Sequence, residues 1–147
     1  KKLVTGFQVT TGNTLSEPRI FKVPVSYSSS NTDLSEVAKK LKLSEEDVVL
    51  KHSEAIYQIS MFGFMPGFAY LTGLPKPLQL PRKQKPSLQI PSGSVAIAEH
   101  YSGIYPVDSP GGWYVLGYTD FSFLTQAQNN ERLPTPGDCV KFIPTIK

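Results

Sequence analysis

Apolar positions along the chain change their period near residue 56. Upstream, "RIFKVPV" (19–25) alternates apolar and polar residues around Pro24, which predicts an edge strand, because a proline cannot donate to a ladder. In "TDLSEVAKKLKL" the residues Leu34, Val37, Ala38 and Leu41 recur at helical spacing, and Asp33 followed by Glu36 resembles a capping box. A second cap pattern, Ser44 followed by Asp47 with an acidic first turn, predicts a short helix ending near His52. From Ile56 onward the pattern is one of short strands, at 56–64, 94–99, 102–107, 112–119 and 138–144, separated by Gly and Pro. Spacing of this kind predicts a mainly β fold, a closed or partly closed antiparallel barrel with two short helices near its N-terminus. Residues 1–18 are polar and aperiodic and read as a linker, leaving 19–147 as the folded domain; "FLTQAQNN" reads as a helical turn and "LPTPGD" as a turn.

One segment resists the pattern. "FGFMPGFAYLTGLP" (62–75) interleaves Phe62, Phe64, Met65, Phe68, Tyr70 and Leu71 with glycines and prolines that break regular elements. An apolar loop is either a covered connection, here a plug for the barrel's own mouth, or a surface that something binds. Both readings stay open on the sequence alone.

Composition narrows the class. The 147 residues suit one domain, and 39% hydrophobic content with 13 prolines and 11 glycines indicates a folded, turn-rich chain. No apolar run reaches the roughly 20 residues needed to cross a bilayer, and the N-terminus lacks the apolar core of a signal peptide, so a cytoplasmic protein with no membrane contact is expected. Lys1 in place of an initiating Met suggests a boundary, with a further domain expected upstream. Cys139 is the only cysteine, and with His52 and His100 as the only imidazoles no metal site is expected; Cys139 reads as a buried free thiol. A formal charge of +3 is too weak to imply nucleic acid. Its distribution is more telling, because Lys76, Arg82, Lys83 and Lys85 lie in an interval with no acidic residue, from Glu54 to Glu99.

Common catalytic templates are absent: there is no phosphate loop, dinucleotide fingerprint, zinc-protease motif or nucleophile elbow. Ser92 and Ser94 in "PSGS" have no local histidine and acid partners, and no carboxylate pair stands out. What remains is a set of ligand-positioning candidates. Arg82 carries a planar fork of donors matched to carboxylate or phosphate. His52 either titrates at a ligand or caps the last carbonyls of its helix. Gly111 and Gly112 in "SPGGW" permit close backbone approach and leave amide donors available, with Trp113 as a core residue.

The motifs "GFMPGFAYLTGLP", "LPRKQKP", "IPSGSVAIA", "SGIYPVDSPGGWYVLGYT" and "PGDCVKFIP", in that order, resemble the KipI family, also described as allophanate hydrolase subunit 1 or as the B component of 5-oxoprolinase. The resemblance implies a cyclophilin-like barrel from about Ile20 to the C-terminus. It further implies a non-autonomous part of an ATP-dependent 5-oxoprolinase, with ATP used through the complex. The partners it implies are a KipA-like protein, corresponding to the C component of 5-oxoprolinase, and the A component. A KipI-type inhibitor of a sensor histidine kinase and a urea carboxylase or allophanate hydrolase-type component are the alternatives. Under the first reading Arg82 fixes a carboxylate, and His52 orients or shuttles a proton. Backbone donors near Ser92, Gly93, Ser94, Gly111 and Gly112 hold a carbonyl, while Phe62, Phe64, Pro66, Phe68 and Tyr105 line the groove. The kinase reading expects Phe62, Phe64, Met65, Phe68 and Tyr70 to be partly exposed. The chain departs from the family pattern at Ala69, where proline is usual, at Ser87 and Tyr118, where basic residues are common, and at Glu99, where glycine is usual.

Overall fold

The structure, a computed structural model, describes residues 17–124 and 134–145. Nearly all of the linker expected at 1–18, and most of the helical turn expected in "FLTQAQNN", lie outside the described residues. Among the described residues there are nine strands: β1 (Ile20–Tyr27), β2 (Ile56–Phe62), β3 (Ala69–Thr72), β4 (Ser87–Ile90), β5 (Ser94–Ala98), β6 (Tyr101–Ile104), β7 (Ser109–Gly111), β8 (Tyr114–Tyr118) and β9 (Cys139–Pro144). Seven of them close into a barrel in the order β1-β8-β5-β6-β3-β2-β9, while β4 and β7 form a separate two-stranded ribbon. The mainly β barrel expected from the sequence is therefore present. Its seam differs from the rest, since β9 and β1 close the barrel in parallel, from Ile20 opposite Cys139 to Val25 opposite Pro144.

The alternation in β1 does what its sequence dictates. Phe21, Val23 and Val25 point into the barrel, and Lys22 and Pro24 point out. The edge strand expected from Pro24 is not found, because β1 is paired with β9 on one side and β8 on the other. Val25 and Arg19 accept bonds from Thr145 and Cys139 on the β9 side, so by alternation the ring nitrogen of Pro24 faces the other side. There β8 pairs only with Ser26 and Tyr27, so the missing N–H costs no ladder bond. Strand β5 is buried on both faces: Val95 and Ile97 join the barrel interior, while Ala96 and Ala98 join a second apolar cluster outside it.

Two helices follow β1, α1 (Leu34–Leu41) and α2 (Glu45–Glu54). Their buried residues Leu34, Val37, Ala38 and Val48 belong to the same cluster as the inward strand residues, so the helices cover the barrel interior. Ser44 caps α2 as expected, its hydroxyl accepting from the Asp47 N–H at 3.0 Å. The capping box expected at α1 does not form. Asp33 is drawn instead to β8, where its Oδ2 accepts from the Val115 N–H at 2.8 Å and its N–H donates to the Val115 carbonyl at 2.7 Å. A tertiary bond to a strand has replaced a local cap.

Strands β3, β4 and β7, three or four residues each, fall where the sequence predicted loops or turns. Strand β3 lies inside the apolar segment, and the rest of that segment forms a defined turn. Gly63 N–H donates to the Phe68 carbonyl at 3.1 Å and Phe68 N–H to the Met65 carbonyl at 3.1 Å. Cys139 is half-buried rather than buried. Among the described residues no helix is long and apolar enough to cross a membrane.

Candidate functional site: an aromatic slot on the barrel's outer wall

The second apolar cluster lies on the outer face of β5, β6 and β8 and contains Phe68, Ile90, Tyr105, Trp113 and Val115. Phe68 is its hub. Its ring meets Tyr70, Trp113, Tyr105 and Phe64 edge to face, with centroids 5.1, 5.3, 5.4 and 5.4 Å away. Gly103 makes this approach possible, because a Cβ there would stand 2.8 Å from Phe68 Cζ.

The rings do not fill the space they surround. A cavity of about 110 Å³ is walled by Phe64, Phe68, Tyr70, Tyr105 and Trp113, floored by Pro110, Gly111 and Gly112, and bordered by Arg82. That is well below the roughly 300 Å³ of a drug-sized pocket, so its size fits a small ring or a single side chain. Gly111 keeps it open, since a Cβ there would sit 2.6 Å from the Tyr105 hydroxyl. Among the described residues neither that hydroxyl nor the Gly112 N–H has a protein hydrogen-bond partner. Burial pushes the Tyr105 phenol up to about 12, against the pull of the nearby Arg82 charge, so at neutral pH it is a donor. The slot therefore combines aromatic walls, neutral donors and one guanidinium.

Arg82 also borders a larger cleft of about 780 Å³, lined by Lys40, Lys83 and Lys85 together with Glu36 and Tyr114. Arg82, Lys83 and Lys85 of the basic interval read from the sequence gather here, without Lys76, and part of their charge is already matched. Lys83 Nζ lies 3.0 Å from Asp33 Oδ2 and 2.9 Å from Ser87 Oγ, and Arg82 Nε lies 3.6 Å from Glu99 Oε2.

Of the residues named from the sequence, Phe64, Phe68, Arg82, Tyr105, Gly111 and Gly112 converge on the slot. Tyr70, Pro110 and Trp113 complete it; their signal was present in the aromatic loop and in "SPGGW", but nothing local said which face they would take. Phe62 leaves the slot to pack on Phe123 at 6.0 Å, and Pro66 is exposed in the turn. Phe62 and Phe64 are exposed and Met65 and Tyr70 half-buried, whereas Phe68 is buried, unlike the partial exposure the kinase reading expects of it.

The amides of Ser92, Gly93 and Ser94 are not free to hold a carbonyl. They donate to Asp108 Oδ1 at 2.7 Å, to the Tyr105 carbonyl at 2.7 Å and to the Pro91 carbonyl at 3.2 Å. The turn they form supports Tyr105 from behind.

His52 is not brought together with Arg82. It lies fully buried, stacked on Phe142 with centroids 4.6 Å apart. The Ser102 hydroxyl donates to the Ala96 carbonyl at 3.0 Å, so it accepts from Nε2–H of His52 at 2.9 Å; Nδ1 then accepts from the Tyr27 hydroxyl at 2.6 Å. Burial lowers the His52 pKa to about 3, which keeps the ring neutral. Its side chain neither caps the helix nor faces a ligand. It bridges α2, β1 and β6.

A closed barrel with two covering helices and a small aromatic slot on its outer wall defines a cyclophilin-like fold. The chain belongs to the family described as carboxyltransferase domain, subdomain C and D, whose model matches residues 2–133. It is 42% identical over 129 residues to the B component of 5-oxoprolinase from Escherichia coli O157:H7, covering 87% of this chain and 59% of that protein. The chain thus spans about three-fifths of that relative's length. A crystal structure of a conserved uncharacterized protein from Pyrococcus horikoshii matches at TM-score 0.75 and 37% identity, over 88% of this chain and 60% of that one. The K. lactis urea amidolyase shares the fold at TM-score 0.72 and 19% identity, over 87% of this chain and 10% of that one.

Proposed function

We propose that the chain acts as the B-type component of an ATP-dependent 5-oxoprolinase, with the aromatic slot as its share of the substrate site. The observation that carries this reading is one guanidinium beside a small aromatic cavity with unpaired neutral donors. 5-Oxoproline is a five-membered lactam with one carboxylate. In this reading its ring lies against Phe68 and Trp113, Arg82 fixes the carboxylate, and the Tyr105 hydroxyl or the Gly112 N–H donates to the lactam carbonyl. Donors placed on that oxygen favour the charge that builds on it when the ring is attacked. A slot bordered by a cation suits a carboxylate-bearing lactam better than urea, which is neutral.

His52 has no direct part in this chemistry; it holds β1 and β6 in place behind the slot. ATP enters through the other components of the complex, a KipA-like C component and an A component. The exposed Phe64 at the slot belongs to the face on which a partner closes. The test is reconstitution with the A and C components. Arg82→Ala lowers ATP-dependent 5-oxoproline cleavage at least about tenfold, mostly through KM, if a charge-assisted carboxylate bond is lost; an unchanged KM removes Arg82 from the site.

The same exposed Phe64 favours a second reading, a KipI-type module that docks on the helices of a sensor histidine kinase. Inhibition of a kinase by the isolated chain, abolished by Phe64→Ala but not by Arg82→Ala, would select it.

A further inference from the structure

Glu99, in the turn between β5 and β6, has a φ of 56°, in the left-handed region that favours glycine. Its N–H donates to the Leu80 carbonyl at 2.7 Å, which pins the turn to the segment carrying Arg82 two residues on. The backbone is thus held in an unfavourable conformation that sets a carboxylate 3.6 Å from Arg82 Nε. Arg82 is also the one residue among the described ones that lines both the slot and the basic cleft. A ligand carboxylate reaching for this guanidinium meets one that already has a counter-ion. Both side chains are about half exposed, at 55% and 47%, so the pair is loose enough to exchange.

We propose that Glu99 is a specificity-determining residue, a resident counter-ion that a carboxylate ligand must displace from Arg82. It sets how strongly the slot prefers a carboxylate-bearing ring over the same ring without one. The inference rests on the reading of the slot given above. Its prediction is unusual in direction, because removing a charged residue from the site strengthens binding.

Calorimetric titration of the full chain with 5-oxoproline and with 2-pyrrolidinone, the same lactam without the carboxylate, tests it. Glu99→Gln tightens 5-oxoproline about three- to fivefold, the scale of an exposed ion pair, and leaves 2-pyrrolidinone unchanged. In an Arg82→Ala background the gain disappears. An equal change for both ligands, or a gain that survives Arg82→Ala, overturns the proposal. A second measurement needs no ligand: phenylglyoxal modification of Arg82, followed by peptide mass spectrometry, runs faster in Glu99→Gln, and an unchanged rate overturns the proposal as well. Failure of the slot reading looks different. 5-Oxoproline then gives no heat, or the same heat in Arg82→Ala, while Glu99→Gln still speeds the modification; that result discards the specificity role and leaves only the ion pair.

Discussion

The two apolar clusters of this domain are built from similar residues and do opposite things. The interior cluster is closed: Val23, Val25, Tyr57, Ile59, Leu116, Val140 and Phe142 are buried, and the polar groups that enter it, His52 and Ser102, satisfy each other. The outer cluster is richer in aromatic rings for its size yet encloses a cavity, with a phenol hydroxyl and a backbone N–H beside it that have no partner among the described residues. Edge-to-face rings occur in both clusters, around Phe68 outside and between Tyr57 and Phe142 inside, so ring geometry by itself does not open the slot. Both clusters carry aromatic rings, but the interior packs shut, whereas the bare Cα of Gly111 keeps the outer slot open.

Substitutions can break or sharpen this contrast. The largest effect belongs to the interior: Phe142→Ala costs about 3–5 kcal/mol in urea unfolding, because it removes a ring that stacks on His52 and meets Tyr57 edge-on. Next comes acid. The folded-state pKa of His52 is depressed, so its contribution is complete above the unfolded value of 6.5 and is lost as pH falls towards about 3. Between pH 7 and pH 4 this amounts to on the order of 3 kcal/mol, and the difference between wild type and His52→Gln, measured by denaturation at both pH values, isolates it.

In the outer cluster, Gly111→Ala forces the Tyr105 hydroxyl to move from 2.6 Å and costs about 1–3 kcal/mol while abolishing ligand heat in calorimetry. A loss as large as that of Phe142→Ala would mean that the two clusters form one rigid unit. Tyr105→Phe is the smallest: its hydroxyl has no protein partner among the described residues, so stability stays within about 0.5 kcal/mol, while affinity for 5-oxoproline falls. If stability fell substantially instead, the hydroxyl would be part of the packing and the contrast would fail.

Sequence patterning revealed the interior more readily than the outer wall. Period-two alternation in β1 and the helical stripe of α1 announce a buried face directly, because the core rewards those periods. The slot left a different trace. Phe64, Phe68, Arg82 and Gly111 stood out by residue type, but they are brought together by the turn before β3, the segment before β4 and the short strand β7, stretches too short and too broken by Gly and Pro to show a period. His52 was misleading for a physical reason: a histidine near a helix end reads as a ligand-facing or capping residue until the strands that bury it are in place. Asp33 likewise read as a local cap, because nothing nearby in the chain shows that Val115 competes for it.

The parallel seam of the barrel also governs how the domain forms. Ile20 and Cys139 are partners across that seam although they stand 119 residues apart. Hairpins β2–β3 and β5–β6 can pair as soon as they are made, whereas β1 must wait for the rest of the barrel before its main neighbour exists. Ring closure is therefore the late, entropically costly step of folding. During synthesis the exposed edge of β1 has no partner until β9 leaves the ribosome.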